Sequence, residues 1–131
     1  MDDSERGLIT VVSPYPVQET LKRLEDMIVA RGLKLFARID HSGEAEKAGL
    51  KMNPAQLLIF GSPAAGTPVM VAAPTSAIDL PLKVLVWGNR DGAVHVTYNN
   101  PEYLGRRHGI PSNLLTNIMG VSALVEKALA R

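Results

Sequence analysis

The chain has 131 residues, which is the usual size of one domain with its own hydrophobic core. It contains no cysteine, so disulfides, thiolate metal sites and thiol nucleophiles are excluded. Its 14 lysines and arginines against 13 aspartates and glutamates leave a formal net charge of +1, so no net field attracts nucleic acid or anionic lipid. We therefore expect neither a nucleic-acid partner nor a membrane partner.

The N-terminus is polar and acidic, whereas an export signal would place positive charge ahead of a long apolar run. The longest weakly polar stretch, Thr67 to Ile78, contains two prolines and is broken by a Thr-Ser pair. It cannot provide the run of about 20 apolar residues that a membrane-spanning helix needs. We expect residues 1–6 to be a flexible N-terminus and residues 7–131 to form the single domain of a soluble, cytoplasmic protein.

The first third of the chain predicts a strand, a helix and a second strand. Leu8 to Val12 is an apolar, β-branched run that ends at a Ser-Pro turn. From Pro16 to Arg31, apolar residues recur at steps of four, three and four, which places them on one helical face, and Gly32 is a typical helix stop. Lys34 to Asp40 alternates between two sets of side chains, as a strand does.

Two short helices and a buried strand are predicted in the middle of the chain. Ser42 to Gly49 has the composition of a short helix, with Ser42 as its N-cap. Gln56 to Phe60 is a compact apolar run typical of a buried strand. Thr67 to Ala77 predicts a short or kinked helix, because Pro74 removes one backbone hydrogen bond and clashes with the preceding turn.

The last third predicts a hairpin and two helices. Leu82 to Trp87 and Ala93 to Tyr98 are rich in β-branched and aromatic residues, and the Gly-Asn-Arg-Asp-Gly turn between them indicates an antiparallel hairpin. Pro101 to Arg107 predicts a short helix and Ser112 to Ala130 a longer one. Strands and helices do not alternate strictly, which favours an α+β fold, an antiparallel sheet with helices on one face, over a doubly wound fold.

Four segments carry a family resemblance. They are FGSPAAGTPVM from Phe60 to Met70, IDLPLKVLV from Ile78 to Val86, VTYNNPEYL from Val96 to Leu104, and RRHGI from Arg106 to Ile110. In this order they resemble the domain of unknown function 302 family, and the resemblance extends from Gly7 to the final helix. It implies a core of strand, helix, four strands and helix, similar to the TATA-binding-protein architecture, with short extra helices. It also implies a homodimer but no particular activity, because the family has no established common one.

The positions of the histidines bear on metal and acid–base chemistry. His41 follows Asp40 at the end of a predicted strand, where a carboxylate could orient the imidazole as a base or a metal ligand. The alternative, which we favour, is that the two residues end the strand and cap the next helix, since neighbours in a strand point to opposite faces. The three histidines are separated by 54 and 13 residues, without the close spacing of a helical zinc site. We predict neither a metal nor a cofactor.

Two features could bind an anion. Arg106, Arg107 and His108 form a basic cluster that could pair with a phosphate or a carboxylate, although we favour positive charge complementing a helix C-terminus. The small-residue segment Gly61 to Pro68 could cradle an anion with its backbone N–H groups. It lacks the Lys-Ser/Thr ending of a nucleotide phosphate loop, so we favour a tight structural loop.

The open end of the predicted hairpin is the expected ligand site. Asp79 and Asn99 emerge there together, and the helix that follows begins at the same end. Acidic and basic side chains that converge at a concave surface are typical of a binding site. The candidate ligand-binding residues are Asp79, Lys83, Asn99, Arg106, Arg107 and His108, with His41 as an outlier.

These patterns favour a small homodimeric module that binds a small molecule or another partner, because no catalytic triad, paired-acid motif or metal signature is visible in the sequence. The alternative is a metal- or cofactor-dependent enzyme, or a redox-associated protein, that uses His41 or His108. The sequence leaves open whether the protein is an enzyme.

Overall fold

The computed structural model describes residues 3–131. The strands are β1 (Leu8–Ser13), β2 (Lys34–Asp40), β3 (Ala55–Gly61), β4 (Leu82–Gly88) and β5 (Val94–Asn99). The α-helices are α1 (Val17–Ala30), α2 (His41–Lys47), α3 (Pro63–Ala72), α4 (Pro101–His108), α5 (Ser112–Leu115) and α6 (Val121–Leu129). Short 3₁₀ helices cover Asp3–Arg6, Pro74–Ile78 and Thr116–Ile118.

The N-terminus that we expected to be flexible, residues 1–6, includes the first of these 3₁₀ helices, while residues 1 and 2 lie outside the described part of the chain. Within residues 3–131, no helix combines the length and the apolar character that crossing a membrane requires.

The five strands form one sheet in the order β1-β5-β4-β3-β2, and every neighbouring pair is antiparallel. β4 and β5 form the predicted hairpin, with Val84 opposite Tyr98. β2 carries a bulge between Leu35 and Ala37, which takes Phe36 out of the regular register. The α+β fold predicted from the order of the elements is confirmed.

The main core lies between one face of the sheet and the helices α1 and α6. Leu21, Leu24 and Ile28, the predicted apolar face of α1, are fully buried in one cluster with Val84 and Val96 of the sheet. Burial of each such side chain contributes roughly 1.5–3 kcal/mol to folding. The alternate residues of β3, β4 and β5, on the opposite face of the sheet, are only partly buried.

Asp40 caps helix α2. Its carboxylate Oδ1 accepts hydrogen bonds from the Gly43 N–H at 2.9 Å and from the Ser42 hydroxyl at 2.7 Å. The helix therefore begins at His41, so the prediction that Ser42 is the cap was wrong. The favoured interpretation of Asp40, that it ends the strand and caps the next helix, is confirmed.

The segment Gly61 to Pro68, predicted as a tight loop, is mostly helical. Helix α3 begins at Pro63, because Ser62 is its N-cap and accepts a hydrogen bond from the Ala65 N–H at 3.2 Å, and because proline suits the first helical position. The predicted break at Pro74 is confirmed, since α3 ends two residues earlier and Pro74 begins a separate 3₁₀ helix.

The prediction of one continuous helix from Ser112 to Ala130 was wrong. The segment is divided into α5, a 3₁₀ helix and α6, with the interruption at Met119 and Gly120. Glycine is, after proline, the least favourable residue inside an α-helix, and here it precedes the first turn of α6. The 3₁₀ helix Thr116–Ile118 packs against α3.

Candidate functional site

A buried histidine links the segment before β4 to the end of α4. The side chain of His108 is 4% exposed, and its Nε2 lies 2.5 Å from Oδ2 of Asp79. Its Nδ1 lies 2.9 Å from the hydroxyl of Thr75. Arg107, whose side chain is 51% exposed, donates to the same Asp79 oxygen at 3.0 Å. One carboxylate therefore binds both an imidazole and a guanidinium.

The local sequence of α4 places these residues. At its start the side chain of Asn100 accepts a hydrogen bond from the Glu102 N–H at 3.0 Å, and at its end Gly109 adopts φ 66°, a left-handed conformation that favours glycine. Arg107 and His108 therefore stand in the last helical turn, where positive charge is favourable. Arg107 and His108 can therefore complement the C-terminus of α4, as predicted, and contact Asp79 at the same time.

Lys83 lies beside this cluster and is half-buried. Its Nζ donates to the backbone carbonyls of Asp79 at 3.1 Å and of Pro81 at 2.9 Å. Burial lowers the pKa of Lys83, and the nearby carboxylate of Asp79 offsets only part of that effect. The ammonium group therefore holds the turn that enters β4.

The structure brings together four of the seven candidate ligand-binding residues: Asp79, Lys83, Arg107 and His108. Asn99 lies at the same end of the sheet, opposite Leu8 of β1. Within the described residues, no hydrogen bond connects its side chain to the cluster. Arg106 is exposed and lines a different surface groove with Glu102 and Met119.

His41 lies apart from the cluster, at the opposite end of the sheet. It follows Asp40, which pairs with Gln56, and Gln56 in turn pairs with Val86 near the hairpin turn. The backbone hydrogen bond from Gly43 is the main reason why the pKa of Asp40 is lowered. Across residues 3–131, no group of three or more metal-ligating side chains is arranged to hold a metal ion.

A cavity of about 260 Å³ lies between α3, the turn before β4 and the 3₁₀ helix that precedes α6. We call it the α3 cavity. Its walls are largely apolar, and they include the side chains of Phe36, Met70, Leu80, Leu82 and Ile118.

Three polar side chains, Ser62, Thr67 and Asn117, interrupt the apolar lining of the α3 cavity. Ser62 accepts the capping hydrogen bond of α3, and Asn117 Nδ2 donates to the Ala65 carbonyl at 3.0 Å. These hydrogen bonds fix α3 relative to the segment before α6. The cavity is therefore bounded by elements that are held in place independently of any ligand.

A second cavity, of about 230 Å³, adjoins the first. Arg31, an exposed residue, lies on its wall and donates to the Gly120 carbonyl at 3.4 Å, so a cation borders a mainly apolar space. The two cavities have five lining residues in common: Gly61, Ser62, Ala65, Leu82 and Asn117.

The sequence did not indicate either cavity. Phe36 reaches the α3 cavity from the bulge in β2, and Asn117 reaches it because the C-terminal helix is interrupted. Both features depend on tertiary contacts. The only local signal was the Ser-Pro pair at Ser62, which marks a helix start and which we interpreted as part of a loop.

The chain matches a known family. A family model described as "Domain of unknown function DUF302" matches residues 9–130. A crystal structure of an uncharacterized conserved protein DUF302 from Bacillus stearothermophilus superimposes with a TM-score of 0.78, covering 94% of this chain and 95% of that one. The two sequences are 18% identical, so this likeness concerns the fold alone.

Among curated proteins, the chain is similar to one named Fluoride-specific ion channel FluC 1 from Brucella suis biovar 1 (strain 1330), with 36% identity over 121 residues. A protein of the same name from Brucella abortus biovar 1 (strain 9-941) has the same identity over the same length. The match covers 92% of this chain but 46% and 44% of these relatives. The chain therefore spans less than half the length of the curated relatives it matches.

Proposed function

The chain belongs to the DUF302 family, and we propose that it binds a small amphipathic carboxylate in the α3 cavity. Because the function of that family is not established, the proposal is inferred from the residues of this chain. The apolar part of the ligand occupies the space beside Met70 and Leu80, and the carboxylate faces Arg31 through the adjoining cavity. The observation that carries this proposal is the pairing of an apolar cavity with a single arginine.

The size of the α3 cavity limits the ligand. Pockets for drug-sized ligands measure about 300–1,000 Å³, and this one, at about 260 Å³, suits a molecule of one or two rings. An apolar lining with a few polar groups that orient the ligand is typical of small-molecule sites. Ser62 and Asn117 are suited to that orienting role, because both lie in the wall that the two cavities share.

Calorimetric titration with 1-naphthoate, two fused rings with one carboxylate, tests the proposal. Gly66→Ala adds a methyl group to the wall, and a Cβ at this position lies 3.8 Å from Met70 Cε, an ordinary contact. We expect saturable binding to the wild type and at least about tenfold weaker binding to this variant, which corresponds to about 1.4 kcal/mol. Val71→Ala, on the exposed side of the same helix, is the matched control and should bind as the wild type does.

We also propose that two copies associate through the uncovered face of the sheet. Ile39, Leu57 and Leu85 lie side by side there on three neighbouring strands, and Trp87 follows at the hairpin end. Five strands of about seven residues present roughly 24 Å by 23 Å. Two such faces bury on the order of 1,000 Å² in total, which reaches the lower bound for a specific interface.

The lack of cysteine fits a reducing cytoplasm, which we propose as the compartment.

Light scattering at micromolar concentration tests the dimer. Leu85→Lys places a charge at the centre of the proposed interface and should give a monomer. Val29→Lys, on the exposed surface of α1, should leave the dimer intact. A wild-type protein that has the mass of one chain would contradict the proposal.

A second candidate function follows from the curated relatives that are named as fluoride-specific ion channels. We propose as the alternative that the domain works beside fluoride transport as a fluoride sensor. The channel activity itself is not transferred, because the match covers less than half of those proteins. Titration of the purified chain with sodium fluoride, monitored by amide NMR against sodium chloride, separates the two candidates, since only the alternative predicts fluoride-specific shifts.

A further inference from the structure

Thr75, His108 and Asp79 form a hydrogen-bonded chain, and none of them lines the α3 cavity. The two nitrogens of the imidazole have different partners: a carboxylate at Nε2 and a hydroxyl at Nδ1. An ionised carboxylate only accepts hydrogen bonds, so Nε2 carries the imidazole proton. In the neutral ring, Nδ1 is then an acceptor, and the Thr75 hydroxyl donates to it.

This arrangement directs the lone pair of a base at the proton of an alcohol. His108 is nearly enclosed, and Asp79 holds it in one tautomer and one orientation. Thr75, in contrast, is an exposed residue. A nucleophile, a base and a group that orients the base are the three parts that covalent catalysis requires.

We propose that Thr75 is the nucleophile of an acyl-transfer site, with His108 as its general base and Asp79 as a positioning residue, and that the substrates are small activated carboxylic esters. The Oγ atom of Thr75 forms a bond to the acyl carbon while its proton passes to Nδ1 of His108. The bond between the acyl carbon and the leaving oxygen then breaks, and the leaving group takes the proton from His108. The product is an acyl ester of Thr75.

Water completes the cycle. A water molecule gives its proton to Nδ1 of His108, and its oxygen bonds to the acyl carbon. The bond from that carbon to Oγ breaks, and His108 returns the proton to Thr75. The carboxylic acid leaves, and no oxidant, reductant or further reactant is needed. Arg107, a cation that shares the Asp79 oxygen, favours esters that carry negative charge.

The neighbouring residue Ser76 provides an internal contrast. The residue is 1% exposed, and its hydroxyl has no hydrogen-bond partner among the described residues. A hydroxyl without a base and without access to substrate is not suited to nucleophilic attack. The proposal therefore assigns the acyl group to Thr75 and not to Ser76.

Incubation of the full chain with p-nitrophenyl acetate tests the site by two readouts, p-nitrophenolate release and intact mass. The wild type should gain the mass of one acetyl group, which peptide mapping places on Thr75. Thr75→Ser should remain reactive, and Thr75→Val should gain none. Thr116→Val is the control, because that exposed hydroxyl donates to the Asn113 carbonyl and not to a base. A wild type that is not acetylated and releases p-nitrophenolate no faster than Thr75→Val, or acetylation that persists in Thr75→Val, would overturn the proposal.

Two further variants separate the base from the group that positions it. His108→Gln should slow p-nitrophenolate release at least about 100-fold, the lower range for a general base. Asp79→Asn should lower kcat with KM unchanged, because it acts on the tautomer and not on ester binding. Thermal midpoints establish that each variant is folded, and a folded His108→Gln protein that reacts at the wild-type rate would contradict the assignment. If His108→Gln does not fold, the comparison of Thr75→Ser with Thr75→Val still decides.

Discussion

The carboxylate of Asp79 and the imidazole of His108 are 2.5 Å apart, although 29 residues separate them in the chain. The contact joins the 3₁₀ helix before β4 to the last turn of α4, and both side chains are largely shielded from solvent. It therefore fixes the segment before β4 against the end of α4, neither of which is part of the sheet.

Removal of the carboxylate should destabilise the fold. Asp79→Ala leaves a nearly buried imidazole nitrogen without its partner, and hydrogen bonds to charged groups contribute about 1.5–3 kcal/mol. We expect the free energy of unfolding in urea to fall by about that amount. Arg107→Ala is the control, because this arginine is half exposed and its ion pair should contribute about 0–1 kcal/mol. Equal losses of unfolding free energy in the two variants would show that the Asp79–His108 contact contributes no more to stability than the exposed ion pair does.

The cap of α2 should depend on pH. The pKa of Asp40 is lowered in the folded chain, so its charge contributes stability above the unfolded pKa of about 3.9 and loses that contribution as the pH falls through the folded value. Asp40→Asn keeps a capping oxygen but removes the charge. Its melting temperature should be below that of the wild type at about pH 7, and the difference should disappear as the pH falls below about 4.

A pH series of thermal melts on both proteins measures this difference. A gap that stays constant down to acidic pH would show that the charge of Asp40 does not stabilise the cap.

Gly7 should not tolerate a side chain. It adopts φ +75°, and a Cβ built there lies 2.2 Å from Cγ of Tyr103, a distance that real contacts do not show. Gly7→Ala therefore forces either the ring of Tyr103 or the start of β1 to move, and overpacking of this kind costs about 1–3 kcal/mol beyond the strain of the positive φ. Gly32→Ala is the matched control, since it has a similar φ of +70° and nothing within 4 Å. Chemical denaturation should show a clearly larger loss for Gly7→Ala.

Elements that are determined by the local sequence pattern could be predicted from the sequence. The apolar spacing of α1, the alternation in β2 and the turn between β4 and β5 each indicated the observed structure. The hairpin also explains why Asp79, Lys83, Arg107 and His108 could be expected at one end of the sheet. The paired strand ends place Asp79 and Lys83 near the start of α4, and the last turn of α4 brings Arg107 and His108 to Asp79.

Features that depend on a choice between two similar residues, or on tertiary contacts, could not be predicted from the sequence. Asp40 and Ser42 are comparable caps by residue type, and in the structure Asp40 has the extended backbone of an N-cap while Ser42 lies inside the helix. The role of Thr75 requires the 3₁₀ turn that follows Pro74, which brings its hydroxyl to a histidine 33 residues away. The α3 cavity, the basis of the proposed function, is assembled from four separate segments, and no local pattern marks it.

The most direct test of ligand binding in the α3 cavity is the amide NMR spectrum of the ¹⁵N-labelled chain during titration with 1-naphthoate. Binding in the cavity predicts saturable shifts that concentrate on its lining, which includes Gly61, Ser62, Ala65, Gly66, Thr67, Met70, Leu80, Leu82, Asn117 and Ile118. Little change is expected near His41 at the far end of the sheet. The absence of saturable shifts, or shifts centred on Arg106 and the surface groove it lines, would contradict the proposed function.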